Sequence, residues 1–346
     1  MHMADALLSP AVGTTFWAGT IAAIGYASRK MKEAVDDRMV PLMGVLGAFI
    51  FAAQMINFTI PGTGSSGHLG GGMILSILLG PFAAVLVMAS VLTVQAFFFA
   101  DGGLLALGCN IWNLGIYPCF IVFPLVYKPL AGDGKNPKKV MIAALVSAII
   151  GLQMGAFSVV LQTLLSGRSE LPFGTFILLM QPVHLVIGIV EGFATAGVIN
   201  YVRSVRPELL ARDAGSGPSG EATSLKKLLI TFAVIAVITG GALSWFASTH
   251  PDGLEWSIAK ITGTRELSGQ QQGIAPELKG IQDRTAFLPD YNFKRTEGGR
   301  NNGDEAPSWP SVETGTSVSG IVGSVSVFAV VVLIGLVVRF LRRRHT

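Results

Sequence analysis

Residues 69–100 read LGGGMILSILLGPFAAVLVMASVLTVQAFFFA. As one helix this run would be roughly 48 Å long at 1.5 Å per residue, against a bilayer hydrocarbon core of about 30 Å. Pro81 has no backbone N–H to give and its ring clashes with the turn before it, so the stretch predicts a break at Gly80-Pro81. The first piece, 69–79, is then too short to span alone and needs neighbouring helices to cover its ends. Outward from this break, apolar spans are expected at 11–28, 40–60, 69–79, 81–100, 103–127, 140–165, 175–202, 228–247 and 318–338. Composition agrees with a membrane protein: 51% of residues are hydrophobic and only 13% charged, too few charges to cover a soluble surface of this size. The expected fold is an all-α polytopic membrane protein, embedded in the lipid bilayer. Its two cysteines, Cys109 and Cys119, fall in one apolar segment and imply neither a disulfide framework nor a Cys-rich metal site.

Lys and Arg test the count of spans. With nine spans and the N-terminus outside, the cytoplasmic pieces are 29–39, 128–139, 203–227 and the tail from Arg339. They carry 17 of the 25 basic residues, and the short outer loops carry only Arg168. The other seven lie in 248–316, a segment long enough that its charge says little about orientation. Merging the third and fourth spans would put Lys128, Lys135, Lys138 and Lys139 outside and spoil the pattern. The basic balance is therefore a topology signal, and no nucleic-acid partner is implied. No positive n-region precedes Pro10, so a cleavable signal peptide is not expected.

That topology places two unusual segments on one face. Met1-His2 offers the α-amine, the His2 amide nitrogen and the His2 imidazole. A metal on the amine and amide closes a five-membered ring, and Nδ1 of the imidazole adds a six-membered one. Initiator Met is trimmed mainly before small residues, so Met1 is expected to stay ahead of His2. Such a set occupies three corners of a square and suits Ni(II) or Cu(II) better than Zn(II), Ca(II) or Mg(II). The Gly-rich outer loop 57–67 runs into His68, either a surface histidine at a helix start or the fourth nitrogen. No GxxxxGK[ST] phosphate loop is present, nor an HExxH or GxSxG motif, so neither ATP hydrolysis nor hydrolase chemistry is expected on this chain.

Here the residues match a family. Met1-His2-Met3-Ala4-Asp5-Ala6-Leu7-Leu8-Ser9-Pro10 resembles the MHxxDxxLSP opening of the CbiM/NikM proteins, the S components of energy-coupling-factor nickel and cobalt transporters. Ala4 and Ala6 stand where Pro and Gly are commoner. Gln54-Met55-Ile56-Asn57-Phe58, Ser66-Gly67-His68-Leu69, Leu79-Gly80-Pro81, Asp101-Gly102-Gly103, Pro182-Val183-His184-Leu185 and Glu191-Gly192 continue the resemblance through about residue 210. It implies a seven-helix S-component bundle over 1–205. It also implies a square-planar four-nitrogen site made by Met1 (amine), His2 (amide and imidazole) and His68. Pro251-Asp252-Gly253-Leu254-Glu255 resembles the PDGLE motif of the small NikN/CbiN-type subunit. The last part, 225–346, then reads as a two-helix module flanking a loop-rich extracytoplasmic segment at 248–316. Residues 206–224, rich in Gly, Ser and charge, would be the cytoplasmic linker.

The resemblance implies a metal-binding component of an ABC-type nickel(II) importer in the bacterial inner membrane, with an extracytoplasmic N-terminus and a cytoplasmic C-terminus. The transmembrane coupling (T) subunit and the ATPase subunits would be separate chains. The metal is cargo rather than a resident cofactor, and its binding should weaken as pH falls because the His2 amide must lose a proton. Two alternatives stay open: a cobalt(II) uptake component serving cobalamin synthesis, and a non-transporting membrane metal-binding or sensor protein. Four polar residues are candidate supports for the ligands: Asp5, Asn57, His184 and Glu191. His184 and Glu191 are seven residues apart and share a helix face, where they would either orient ligands or tie helices together. Gln54, Gln95, Asn110 and Asn113 read as interhelical amides. Asp101 reads as a residue orienting the Gly102-Gly103 turn.

Overall fold

The computed structural model describes residues 2–34, 38–207, 210, 222–267, 269, 273–294 and 309–343. Met1 and most of the 206–224 linker lie outside the described residues. The chain forms α1 (Pro10–Ala34), α2 (Met39–Gln54), a hairpin of β1 (Phe58–Ile60) and β2 (Ser65–Gly67), then α3 (Gly72–Leu79) and α4 (Pro81–Phe99). There follow α5 (Leu107–Ala131), α6 (Pro137–Leu165), α7 (Phe173–Val205), α8 (Ala222–Gly241), α9 (Gly253–Thr262), α10 (Ile274–Thr285) and α11 (Thr314–Arg343). Among the described residues, α4, α5, α6, α7 and α11 are long and apolar enough to cross a membrane, and α2 is apolar but shorter.

The break between α3 and α4 falls at Gly80, which takes φ 80° and ψ 163°, with Pro81 opening the next helix. Proline is at home there, because a first-turn N–H has no helical acceptor. The apolar run 40–60 is not one helix. α2 stops at Gln54, and Phe58–Ile60 pairs antiparallel with Ser65–Gly67, Ile60 opposite Ser65. Pro61 and the glycines at 62 and 64, with φ of 77° and 75°, turn the chain back. The run at 103–127 is also corrected at its start: the helix begins at Leu107. Its stretch Trp112–Tyr127 is wound as a π-helix with Pro118 and Pro124 inside it. Each proline withholds a backbone donor, and the wider turn is a known way to house such a defect.

Within 248–316, expected to be loop-rich, two short helices form, α9 and α10. Asp252 caps α9 by accepting from the Leu254 and Glu255 N–H groups, both at 2.8 Å, while the Glu255 carboxylate accepts from the Asp252 N–H at 3.2 Å. The PDGLE motif is thus a capping box, with Asp at the N-cap and Glu three residues on.

The second module packs against the first through α11, which lies along α2. Gly323 makes the approach possible: a Cβ there would fall 2.0 Å from Cζ of Phe51, itself fully buried. Small residues let apolar helices come this close where no water drives them together. Gly323→Leu should therefore force α11 away from α2. The cost of such overpacking is about 1–3 kcal/mol, seen as a lower melting temperature of the detergent-purified chain, with Gly323→Ala less affected.

Candidate metal centre

The N-terminal arm runs into a short 3-10 turn at Asp5–Leu7 and is pinned by the Asn110 side chain of α5 and by backbone N–H groups of the loop before it. The Met3 N–H donates to Asn110 Oδ1 at 2.8 Å, and Asn110 Nδ2 donates back to the Met3 carbonyl at 3.2 Å. The Gly103 N–H also reaches that carbonyl, at 2.9 Å. Met3 is fully buried. Asp5 Oδ1 accepts from the Ala106 N–H at 2.9 Å, so this candidate support does anchor the arm. Burial pushes the Asp5 carboxyl above its ordinary range, an effect its backbone donors oppose. Gly103 is required beneath it, because a Cβ there would lie 1.8 Å from Asp5 Oδ1.

This anchoring brings His2 against His68. Their rings are parallel within 5°, with centroids 5.1 Å apart. They border a cavity of about 960 Å³ that Asn57, Asp101, Asp252 and Tyr291 also line. His68 Nδ1 lies 3.0 Å from the Leu69 carbonyl. A carbonyl only accepts, so Nδ1 holds the proton and the lone pair falls to Nε2, the nitrogen a ligand role would use. Burial lowers the His68 pKa to about 3, which keeps the ring neutral.

His2 is held differently from expectation. Its Nδ1 lies 3.1 Å from Asp101 Oδ1, while its Nε2 is buried with no hydrogen-bond partner among the described residues. The expected chelate uses Nδ1, so pairing with Asp101 and binding metal compete for one atom. Asp101 also accepts from the Tyr291 hydroxyl. Burial alone would raise the Asp101 carboxyl, but the His2 charge and hydrogen bond, with the Tyr291 hydroxyl, bring it down to about 2. Tyr291 in turn stacks on Phe99, at 4.9 Å between centroids. Sequence reading gave Asp101 a turn-forming role and gave Tyr291 none. The Asp-Gly-Gly string suggests a turn, and no spacing links position 291 to position 2.

The loop bearing His68 is fixed from below. The Glu191 carboxylate accepts from the Gly70 N–H at 2.7 Å and from the Gly71 N–H at 3.0 Å. Gln95 Nε2 donates to Gln54 Oε1, and Gln54 Nε2 to the Gly70 carbonyl, each at 2.8 Å. Glu191 thus supports the loop itself, while His184 bonds only to Met180 of its own helix. Glu191 thereby ties α7 to the N-terminus of α3. Asn57 lies at the cavity wall, but its side-chain oxygen is buried without a partner among the described residues.

The PDGLE motif closes the other side. The Ser66 N–H donates to the Pro251 carbonyl at 2.8 Å, and Ser66 Oγ to the His250 carbonyl at 2.8 Å. Trp256 Nε1 reaches the Thr63 carbonyl at 2.9 Å. The second module therefore grips the hairpin that leads into His68.

Residues 2–209 match the family described as the cobalt uptake substrate-specific transmembrane region, CbiM, and residues 226–340 match the PDGLE domain. The chain belongs to the CbiM family. It is a multi-pass membrane protein in which the CbiM region is fused to a PDGLE domain, and its family is one of transporter components, not enzymes. It is 31% identical to a candidate fused nickel transport protein NikMN of Archaeoglobus fulgidus, over 95% of this chain and 96% of that one. It is 28% identical to the fused nickel transport protein NikMN of Rhodobacter capsulatus, over 84% and 88%. Among solved structures, a truncated transition metal transporter aligns with a TM-score of 0.53 and 27% identity, covering 59% of this chain and 99% of that one.

Two substitutions probe these supports. Tyr291→Phe removes one bond from Asp101 and should weaken Ni(II) binding by about 1 kcal/mol, roughly five-fold, in titration of the purified chain. Glu191→Gln leaves one of two buried N–H groups without an acceptor, at about 1–3 kcal/mol. It should weaken binding more than Tyr291→Phe and also lower the melting temperature.

Proposed function

We propose that this chain is the metal-binding component of an energy-coupling-factor importer for nickel(II). The observation that carries the reading is the pinned N-terminal arm, which sets His2 ring to ring with His68 at the wall of the large cavity. Met1 supplies its amine and His2 its amide nitrogen and imidazole; His68 Nε2 completes a square of four nitrogens. A half-turn of the His2 ring about Cβ–Cγ exchanges its two edges. Nδ1 then turns to the metal and Nε2–H comes to the side of Asp101, the arrangement in which a ligating histidine gives its second N–H to a carboxylate. Asp101 serves the ring in both settings.

Nickel is favoured over cobalt because the relatives that align over 95% and 84% of this chain are nickel transport proteins by name, whereas a cobalt transport protein CbiM of Geobacter sulfurreducens aligns over 75%. Cobalt(II) accepts the same ligands and is the second reading, supported by the description of the family. The fold assigned to this role is a seven-helix bundle over 1–205, a cytoplasmic linker at 206–224 and a two-helix PDGLE-type module over 225–346. The N-terminus and the 248–316 segment face outside, supported by the concentration of basic residues in the other loops. ATP hydrolysis and coupling come from partner chains.

Adding one residue ahead of Met1, with every native side chain intact, moves the amine out of the chelate. Ni(II) binding should fall by at least a hundred-fold in titration of the purified chain, while its melting temperature stays put. Unchanged affinity would remove the amine from the ligand set.

A further inference from the structure

His184 stands midway along α7, 1% exposed, and its bonding leaves a specific gap. Its Nδ1 lies 2.7 Å from the Met180 carbonyl. That carbonyl can only accept, so Nδ1 carries the proton and the lone pair sits on Nε2. Nε2 is buried with no hydrogen-bond partner among the described residues. A buried lone pair left without a donor is costly, so something that is not a side chain is expected to meet it.

The surroundings suggest what that is. His184 borders an inner cavity of about 10 Å³, which His68 and Asp252 also line. That volume holds about one water or one ion stripped of its waters. Gly253 keeps the ring edge uncovered: a Cβ there would lie 3.1 Å from His184 Cε1 and 2.7 Å from Val183 Cγ1. A second cavity of the same size shares Gly70, Leu114 and Leu152 with the first and reaches Glu191. Two small spaces therefore run in series from His68 along α7, and His184 sits at the first.

Resting on the metal-uptake reading above, we propose that His184 is a transit ligand, whose Nε2 takes the cargo metal ion from His68 on its way inward. No group of three or more His, Cys, Asp or Glu side chains among the described residues is close enough to hold a metal. A station on a conduction route must hold its ion weakly enough to let it leave, and one imidazole beside a water-sized space has that character. In the transfer, the Nε2 lone pair of His184 replaces one nitrogen of the outer site on the ion. As the ion leaves the remaining nitrogens, the His2 amide nitrogen regains a proton from water; every other bond made or broken is coordination.

The test compares full-length parent, His184→Gln and His184→Cys, each expressed with its coupling and ATPase partners. Uptake of radioactive Ni(II) by cells is measured beside Ni(II) titration of the purified chain. The proposal expects His184→Gln to bind Ni(II) with the parent's stoichiometry and absorption spectrum yet take it up at least ten-fold more slowly. His184→Cys, which supplies a metal ligand of different shape, should recover much of the rate. Parental uptake by His184→Gln would overturn the proposal and leave the cavity to a bridging water. So would equal slowness of both variants, or loss of Ni(II) binding by His184→Gln. If the parent neither binds nor takes up Ni(II), the metal-uptake reading itself falls, and this proposal with it.

Discussion

The arrangement depends on one buried carboxylate holding two peptide N–H groups. Glu191 accepts from Gly70 and Gly71, and the carbonyl of Gly70 is taken by Gln54, which Gln95 steadies. Gly71 has φ of 79°, so the loop turns sharply just where these bonds grip it. In an apolar interior such peptide groups cannot turn to water, and each must find a partner in the protein. The polar side chains of α2, α4 and α7 meet that demand. In doing so they fix the loop that presents His68.

The same economy governs the arm and the second module. Asn110 occupies both the N–H and the carbonyl of Met3, as a neighbouring strand would. Pro251 and His250 take the N–H and hydroxyl of Ser66. His2 and His68 are thus held by backbone pairing from two sides, while Tyr291 reaches His2 through Asp101. Fusion of the modules places a residue near position 290 within two hydrogen bonds of position 2. The PDGLE string, which reads as a family marker, is physically the start of a helix. Its Asp and Glu satisfy the backbone there, its Leu is buried, and its Gly leaves room beside His184.

Much of this was legible in the sequence, and what was not has identifiable causes. The Gly80-Pro81 break follows from helix length and from proline's missing donor. His2 and His68 are expected on one face from the loop charges, and their rings lie 5.1 Å apart. The hairpin after α2 was read as part of a span because Phe58 and Ile60 are apolar, and hydropathy does not separate a short buried strand from a helix end. The two short helices within the loop-rich 248–316 segment are hidden by its Gly, Pro and Gln content; the Asp252–Glu255 capping box is the local signal for the first of them. The partnership of Asp101 with His2 and Tyr291 joins three distant stretches, and neither period nor spacing in one chain encodes it. Glu191 was seen as a functional candidate, but its role as an acceptor for a loop backbone requires the fold.

The central claim is that the start of the chain is itself a square of four nitrogens with His68. The absorption spectrum and magnetism of the purified chain loaded with one equivalent of Ni(II) test it most directly. The account predicts a yellow, diamagnetic complex, as expected of Ni(II) in a square plane of amine, amide and imidazole nitrogens. A pale, paramagnetic, six-coordinate complex would contradict it.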